Sequence, residues 1–351
     1  MRDDCAGFTT REVIRILPEV YVVMQCYNCK TYMHDALRSV KKQQGVTLQV
    51  VFVDDASTDG SGAEAKRTCA KLRLKCTLIV SPNRRGPSHS KWLAFQHVRR
   101  AGAPNDVLMV LDSDDFLLDD GIVRDMLTTM AREGAWVTFG RIRGRYEWEC
   151  QKPFSNIPSK EAALEVYQAI MGRAGRVEAL QEPVNAQAPA LRTCSGPGNT
   201  PPCKLSIPWT FCHPRMLRVG LLAGLTERYF KFPEDAETWG ALAGSWLPKA
   251  TDRTWLYHAI ERAGLGRTVQ FTDRDAVYYR TTSTSTIETV PFAVKKKCIQ
   301  FTELSPVNPL YDEMHIISLV SGRLGFLPTW IRINILEQKI QHGAVHLHLV
   351  N

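Results

Sequence analysis

The N-terminal part of the chain alternates short apolar runs with segments whose apolar residues recur at helical spacing. The apolar runs occupy residues 19–25, 48–53, 76–80 and 107–111. Between the first two runs, Met33, Leu37 and Val40 fall on one face of a helix. Because alternating strands and helices build βαβ units, about the first 140 residues predict an α/β fold with a mainly parallel sheet flanked by helices.

Three carboxylates follow the last of these runs. Residues 107–111 suit a strand buried on both faces, and Asp112, Asp114 and Asp115 come directly after it. Ligands of open α/β sheets bind beyond the carboxyl ends of the strands, and carboxylates crowded there repel one another unless a cation neutralises them. Oxygen ligands suit Mg²⁺ or Mn²⁺. The turn therefore predicts a divalent-metal site that holds a phosphorylated ligand; the alternative is a solvated acidic turn.

Composition limits the class of protein and of partner. With 351 residues, 44% of them apolar and 23% charged, the chain has the make-up of an ordinary globular protein of one large domain or two. Its net charge of +8 favours anionic partners, namely nucleotide phosphates, acidic glycans, nucleic acid or an anionic membrane surface. Charge alone does not choose among them.

The sequence has no segment typical of export or membrane insertion. Residues 1–15 form a polar tail without the apolar region of a signal peptide. The longest apolar stretch, 316–336, is interrupted by Arg323 and Pro328, among others. We therefore expect a soluble, cytoplasmic protein that lies at most peripherally on a membrane. The lysines 295–297 would touch phosphate or an anionic lipid surface, or form a solvated charge run.

Ten cysteines are scattered along the chain. Without an export signal, reduced thiols are expected, including those of the C-x-x-C pair Cys26 and Cys29. A zinc site is left open by one group whose spacing matches no common zinc motif: Cys194, Cys203, Cys212 and His213.

The pattern becomes less regular after Arg141. Residues 183–208 are rich in Pro, Gly and Asn, which predicts a long loop, and residues 209–262 are expected to be mostly helical. Four tryptophans in this part would either pack in the core or stack on the sugar rings of a ligand: Trp209, Trp239, Trp246 and Trp255.

A series of short motifs runs in order over roughly residues 19–290. They are Tyr27-Asn28 and Tyr32, Asp54-Asp55-x-Ser57-x-Asp59-Gly60, Asn83 with Gly86, Asp112-x-Asp114-Asp115, Trp209, Pro233-Glu234-Asp235, and Tyr278-Tyr279-Arg280 with Ser283 and Ser285. Each motif is weak alone, but their order and spacing together resemble the family-2 glycosyltransferases of GT-A fold.

The resemblance implies a Rossmann-like fold in two functional halves. Residues 16–140 would be the nucleotide-sugar-binding half, and residues 141–294 a more helical half with the acceptor site and the catalytic base. Residues 1–15 would be an N-terminal tail and residues 295–351 a C-terminal extension.

Some positions depart from the family's pattern. Lys91-Trp92 stands where the family has Arg-Asn, and Gln25 and Cys26 stand where it has a proline. The Gln-x-x-Arg-Trp element of the processive relatives is absent from the sequence. The resemblance is therefore to the nonprocessive members, which transfer a single sugar.

The resemblance also implies roles in donor binding. Asp55 would accept a hydrogen bond from the base, with Tyr27 stacking nearby, and Gln25 and Lys91 would complete the donor site. The alternative role for Asp55 is that of a turn-forming or helix-capping carboxylate. The two acidic positions of the Asp-x-Asp would have different roles. Asp112 would touch the ribose, and Asp114 would ligate Mn²⁺ or Mg²⁺.

Asp235 matches the catalytic base of the family. Attack by an acceptor hydroxyl needs proton removal as the bond forms, and a carboxylate opposite the leaving group accepts that proton. Single displacement of this kind inverts the anomeric carbon. The alternative for Asp235 is a helix N-cap, which is compatible with the base role, and Glu234 is the nearest rival for the base.

The expected function is thus an inverting, metal-dependent glycosyltransferase. It would move one sugar from a nucleotide-sugar donor, most often a UDP-sugar, to a glycan or glycoconjugate acceptor, and no nucleic acid partner is expected. One alternative is a nucleotidyl- or phosphotransferase, although no G-x-x-x-x-G-K-[ST] loop occurs in the sequence. Another is a catalytically degenerate GT-A domain that binds a glycan or nucleic acid.

Overall fold

A computed structural model describes residues 18–144, 192–194, 203–205, 211–264, 267–280, 289–304, 314–319 and 345–350. Its helices are α1 Met33–Lys42, α2 Ser61–Leu72, α3 Pro87–Ala101, α4 Ile122–Arg132, α5 Ala236–Trp239, α6 Thr251–Ala263 and α7 Phe292–Leu304. Its first seven strands are β1 Val20–Cys26, β2 Leu48–Asp54, β3 Lys75–Val80, β4 Val107–Val110, β5 Phe116–Leu117, β6 Val137–Gly140 and β7 Ile142–Gly144. The others are β8 Arg192–Cys194, β9 Cys203–Leu205, β10 Cys212–Arg218, β11 Thr268–Gln270, β12 Val277–Tyr279, β13 Met314–Leu319 and β14 Val345–Val350.

A seven-stranded sheet in the order β11-β6-β10-β4-β1-β2-β3 forms the centre of the fold. Strands β3, β2, β1 and β4 are mutually parallel, as their βαβ connections require. Strand β10 runs antiparallel between β4 and β6, while β11 is parallel to β6. The predicted fold class, an α/β fold with a mainly parallel sheet flanked by helices, is confirmed.

The two faces of the sheet carry separate core layers. Along β1, Val22 and Met24 enter one layer, which is shared with α1, α2 and α4. Tyr21 and Val23 enter the other layer, which is shared with α3 and α6. This division follows from the two-residue period of a strand. It also explains the unbroken apolar runs, because strands covered on both faces need apolar side chains at every position.

Strand β10 corrects the sequence prediction for residues 209–262. We expected this region to be mostly helical, but Cys212–Arg218 extends along β4 and β6. Met216 and Leu217 of this strand enter opposite core layers. Tertiary pairing therefore outweighs a local sequence that contains Pro214 and no strict alternation. The predicted loop 183–208 lies outside the described residues except for β8 and β9, which pair with each other.

Helix α7 spans the predicted boundary between residues 294 and 295. Its residues Cys298 and Phe301 pack against Phe232 and Trp239, so this helix shares a small core with the segment around α5. The predicted tail, residues 1–15, lies outside the described residues. Within the described ranges, no helix combines the length and the apolar character needed to cross a bilayer.

Candidate functional site

Three loops meet where β1, β2 and β4 end. Gln25 is the second-last residue of β1, and its side-chain amide donates to Asp112 Oδ1 at 3.3 Å. Ser113 Oγ donates to the Gln25 carbonyl oxygen, which fixes the acidic turn against β1. These contacts follow from the parallel register, in which Val23 of β1 faces Val110 of β4. The structure thus brings Gln25 and Asp112, both predicted from the sequence, into direct contact.

Asp55 joins the β2 edge to the loop before α3. It is 4% exposed, and its two carboxylate oxygens accept the backbone N–H groups of Arg85 at 3.0 Å and Gly86 at 2.7 Å. Gly86 has a φ of 92°, a conformation that L side chains rarely adopt. Asp55 therefore holds this loop in place, and each of its oxygens keeps a second lone pair for a further donor.

Tyr27 lies on the β1–α1 loop and follows Cys26, whose carbonyl accepts the Asp55 N–H at 2.9 Å. The neighbouring Asn28 binds the β2–α2 loop twice: its N–H donates to Ser57 Oγ at 2.9 Å, and its side-chain oxygen accepts from Thr58 N at 2.9 Å. The guanidinium of Arg84 lies over the Tyr27 ring, 3.7 Å from its centroid. The ring that was predicted to stack near a base is therefore already covered by a planar cation.

The cysteine prediction is wrong for three residues. Cys26 and Cys29 form a disulfide across the turn that carries Tyr27, and Cys212 is disulfide-bonded as well. Because a cysteine ligates zinc as a thiolate, Cys212 is not available as a zinc ligand in this state. Among the described cysteines, the free thiols are Cys69, Cys76 and Cys298.

The acidic turn carries charges that repel one another. Burial and the nearby Asp112 charge raise the pKa of Asp114 to about 6. Burial, with the charges of Asp114 and Asp112, raises the pKa of Asp115 well above its usual range. Asp115 Oδ1 accepts the N–H of Arg280 at 2.9 Å, whereas its buried Oδ2 has no hydrogen-bond partner. The turn thus has the electrostatics of a site that a cation would stabilise.

His213, on β10, completes a candidate metal site. Its Nε2 lies 3.8 Å from Asp112 Oδ2, and ligand atoms of Asp112, Asp115 and His213 lie within 4.8 Å of one another. Burial, then the neighbouring Arg215 charge, lowers the pKa of His213 to about 4, so the imidazole is neutral and able to ligate a metal. Carboxylate oxygens with one imidazole nitrogen fit Mn²⁺. Asp114 is not in this group, and its predicted role as metal ligand stays a prediction.

A buried chain of charges connects His213 to α3. Arg215 Nη1 is 2.9 Å from His213 Nε2 and 2.7 Å from Asp252 Oδ2. The other oxygen of Asp252 is 3.0 Å from Lys91 Nζ, which also donates to Thr251 Oγ1 at 3.4 Å. Burial acts to raise the pKa of Asp252, but Arg215 and Lys91 outweigh it and hold this pKa well below its usual range. Lys91, predicted to contact the donor, is thus engaged with α6 in this structure.

Asp235 caps helix α5. Its Oδ1 accepts the backbone N–H groups of Glu237 at 3.0 Å and Thr238 at 3.3 Å, and hydrogen bonds from Thr238 lower its pKa. The carboxylate is exposed to solvent and ionised at neutral pH. The alternative that the sequence left open, an N-cap, is therefore realised. The rival Glu234 is also exposed, 3.4 Å from Lys231.

Hydrogen bonds connect the segment that carries Asp235 to the start of α3. Phe232 N donates to the Ser245 carbonyl at 2.8 Å, so residues before α5 pair with those after it. Ser88 Oγ, at the start of α3, donates to the Leu247 carbonyl at 2.6 Å. Helix α3 begins next to the loop that Asp55 holds, so these bonds connect the Asp235 segment to the same helix end.

Comparison with known proteins agrees with these motifs. A sequence model of the family described as "Glycosyl transferase family 2" matches residues 21–179. Residues 21–179 are thus similar to glycosyl transferase family 2. The matched region contains Gln25, Tyr27, Asp55, Lys91 and the acidic turn, whereas His213 and Asp235 lie beyond it.

Curated relatives match a shorter part of the chain. An uncharacterized glycosyltransferase of Haemophilus influenzae is 24% identical over 110 residues, which are 31% of this chain and 42% of the relative. The succinoglycan biosynthesis protein ExoO of Rhizobium meliloti is 33% identical over 111 residues, 31% of this chain and 29% of ExoO. The chain thus spans less than half the length of the curated relatives it matches.

Solved structures of low sequence identity are also similar. S. aureus TarS 1-349 in complex with UDP-GlcNAc is 16% identical, with a TM-score of 0.47, over 78% of this chain and 61% of TarS. The mannosyltransferase PcManGT from Pyrobaculum calidifontis, in complex with GDP-Man and Mn²⁺, is 17% identical, with a TM-score of 0.39, over 70% of this chain and 62% of PcManGT.

Not every residue considered for this family-2 site lies within reach of a ligand. Trp255 is 1% exposed and packs edge-on against Phe95, and Trp239 is buried against Phe232. Both are core residues, whereas Trp246 is only partly buried. Trp209 lies outside the described residues.

No local sequence pattern indicates that His213 joins the acidic turn. It stands next to Cys212 and was considered only as part of a zinc group. Its place beside Asp112 depends on β10 pairing with β4, where Arg215 faces Val110. A prediction of that antiparallel strand would have brought the imidazole to the edge where Asp112 lies.

Proposed function

We propose that this chain transfers one sugar from a nucleotide-sugar donor, most often a UDP-sugar, to a hydroxyl of a glycan or glycoconjugate acceptor. The reaction is metal-dependent and inverts the anomeric carbon. One observation carries this proposal. Gln25, Asp55, the acidic turn and His213 meet at one edge of the sheet of a family-2 domain.

The metal is held by Asp112, Asp115 and His213 in this proposal. A divalent cation held by these residues would supply positive charge to neutralise the departing diphosphate. Two features of the chain support this ligand set: the buried Oδ2 of Asp115 has no hydrogen-bond partner, and the His213 imidazole is neutral. Mn²⁺ suits the set better than Mg²⁺ because one ligand is a nitrogen. Asp114 is the ligand that the family resemblance implies, and variants of each residue distinguish the two assignments.

The donor base lies between Tyr27 and Asp55 in this proposal. Asp55 uses its remaining lone pairs to accept the imide N–H of a uracil, while its two backbone bonds keep it in place. A base that stacks on Tyr27 displaces the Arg84 guanidinium from the ring.

Asp235 acts as the general base. As the acceptor oxygen attacks the anomeric carbon, its proton passes to the Asp235 carboxylate. The bond from that carbon to the diphosphate oxygen breaks, and the diphosphate leaves with the electron pair. The hydrogen bonds that cap α5 keep the carboxylate ionised and oriented before the reaction.

Calorimetry with UDP, in the presence and absence of Mn²⁺, tests this function. We expect UDP to bind when Mn²⁺ is present, and slow Mn²⁺-dependent hydrolysis of at least one nucleotide sugar in a panel. Asp112→Asn should lose Mn²⁺-dependent binding, whereas Asp120→Asn, an exposed aspartate after the same turn, should keep it. Tight binding of nucleic acid or glycan without any UDP binding would instead favour the degenerate binding module.

A further inference from the structure

Arg215 occupies an unusual position beside the candidate metal site. Its side chain is 4% exposed, and its Nε donates to the Phe211 carbonyl at 2.7 Å. Its Nη1 lies between Asp252 Oδ2 at 2.7 Å and His213 Nε2 at 2.9 Å. A guanidinium is thus fixed by its own strand and aimed at the imidazole.

The chemistry of the pair decides which atom donates. Arginine has only donors, so His213 Nε2 must accept the hydrogen bond through its single lone pair. The same lone pair is the one that a metal ion uses when Nε2 is its ligand. The Arg215 guanidinium and a divalent cation therefore need the same pair of electrons.

Asp252 accepts a hydrogen bond from the same Nη1 of Arg215. One Asp252 oxygen binds Arg215 and the other binds Lys91. The carboxylate thus neutralises part of their positive charge. The other contact of Nη1 is His213 Nε2, which lies 3.8 Å from Asp112 Oδ2. Asp252 thus limits how strongly Arg215 engages the metal site.

We propose that Arg215 is a built-in competitor of the divalent cation for His213, and that Asp252 sets the strength of this competition. The inference rests on the proposed function, because it concerns the same metal site. It implies that Mn²⁺ binds weakly to the protein alone. Nucleoside diphosphate brings negative charge that offsets the repulsion between Mn²⁺ and Arg215, so the two ligands bind cooperatively.

Titration of the full chain with Mn²⁺, followed by the electron paramagnetic resonance signal of free Mn²⁺, tests the inference. Without nucleotide, Arg215→Met should bind Mn²⁺ more tightly than wild type, by about 5- to 150-fold, the usual range for coupled ligands. Asp252→Asn should bind it more weakly, because the guanidinium then loses the carboxylate that competes with His213 for its Nη1. UDP should improve Mn²⁺ affinity less in Arg215→Met than in wild type. Arg218→Met is the matched control, since Arg218 faces Val107 at the opposite end of β4.

Opposite signs for the two variants separate competition from a structural role, which would weaken Mn²⁺ binding in both. A folded Arg215→Met protein with unchanged or weaker Mn²⁺ affinity overturns the inference. If that variant does not fold, Asp252→Asn decides with UDP present: unchanged or tighter Mn²⁺ binding overturns the inference. A wild type that binds no Mn²⁺ even with UDP contradicts the proposed function instead. In that case, Mn²⁺ binding gained by Arg215→Met would support the competition, and no gain would overturn it.

Discussion

Replacing Asp55 by asparagine separates its structural role from its proposed role in base binding. The amide keeps one acceptor oxygen, but its NH₂ group faces one of the two backbone N–H groups that the carboxylate accepts now, from Arg85 and Gly86. One charge-assisted hydrogen bond is lost, which costs about 1.5–3 kcal/mol, and a donor in this buried place is left unpaired, which costs about 1–3 kcal/mol. We therefore expect the free energy of unfolding to fall by about 3–5 kcal/mol.

Urea unfolding followed by tryptophan fluorescence measures this loss, which is a large part of the about 5–15 kcal/mol that stabilises a typical protein. UDP affinity, measured by calorimetry where the variant is still folded, should fall by about 10- to 150-fold, the equivalent of one charge-assisted hydrogen bond. Asp59→Asn is the matched control in the next turn. The exposed Asp59 carboxylate accepts the N–H groups of Ser61 at 2.9 Å and Lys30 at 3.2 Å. The free energy of unfolding of this variant should therefore fall by less than about 1 kcal/mol.

Two results would refute this reasoning in different ways. If Asp55→Asn unfolds within about 1 kcal/mol of wild type, the two backbone bonds do not hold the loop as the distances indicate. If the variant is destabilised as expected but binds UDP with unchanged affinity, Asp55 holds the loop and does not read the base.

Three further predictions follow from single residues. Asp235→Asn should lower the rate of sugar transfer by about 10²- to 10⁴-fold in a turnover assay while UDP affinity is unchanged, and a rate within twofold of wild type would remove Asp235 as the base. Trp255→Ala should reduce the free energy of unfolding by about 3–5 kcal/mol, because the ring is fully buried, and an equally stable variant with impaired acceptor binding would contradict its place in the core. Lys75→Ala removes an exposed ion pair with Glu19 and should change stability by less than about 1 kcal/mol in the same urea experiment.

The acidic turn shows what local sequence was able to predict. The unbroken apolar run before Asp112 indicates a strand covered on both faces, and a parallel sheet places the end of such a strand at its ligand-binding edge. These two steps use only local pattern and the rules of βαβ units. The contact between Gln25 and Asp112 follows from the same register.

Strand β10 shows why the rest of the site was missed. Its residues Cys212–Arg218 include a proline and two arginines, so neither an apolar run nor an alternation marks it as a strand. Arg215 is buried next to Asp252, which accepts its hydrogen bond, and His213 is buried next to Asp112. Both partners come from distant parts of the chain. Burial of charged groups through long-range partners leaves no trace in local hydrophobicity.

Lys91 and the cysteines illustrate two other limits of the sequence. The family resemblance predicts a basic residue at Lys91, but not that Asp252, on α6, accepts its charge. Reduced cysteines were expected from the absence of an export signal, a general tendency that says nothing about local geometry. Cys26 and Cys29 are close because the β1–α1 turn folds back on itself, and there they form a disulfide.

Crystals grown with UDP and Mn²⁺, with diffraction recorded at the manganese absorption edge, test the central claim most directly. We predict an anomalous peak within bonding distance of Asp112 and His213 Nε2, with the diphosphate on the same ion and the uracil against Asp55. A manganese peak remote from the acidic turn, or a nucleotide bound away from the ends of β1, β2 and β4, would contradict this account.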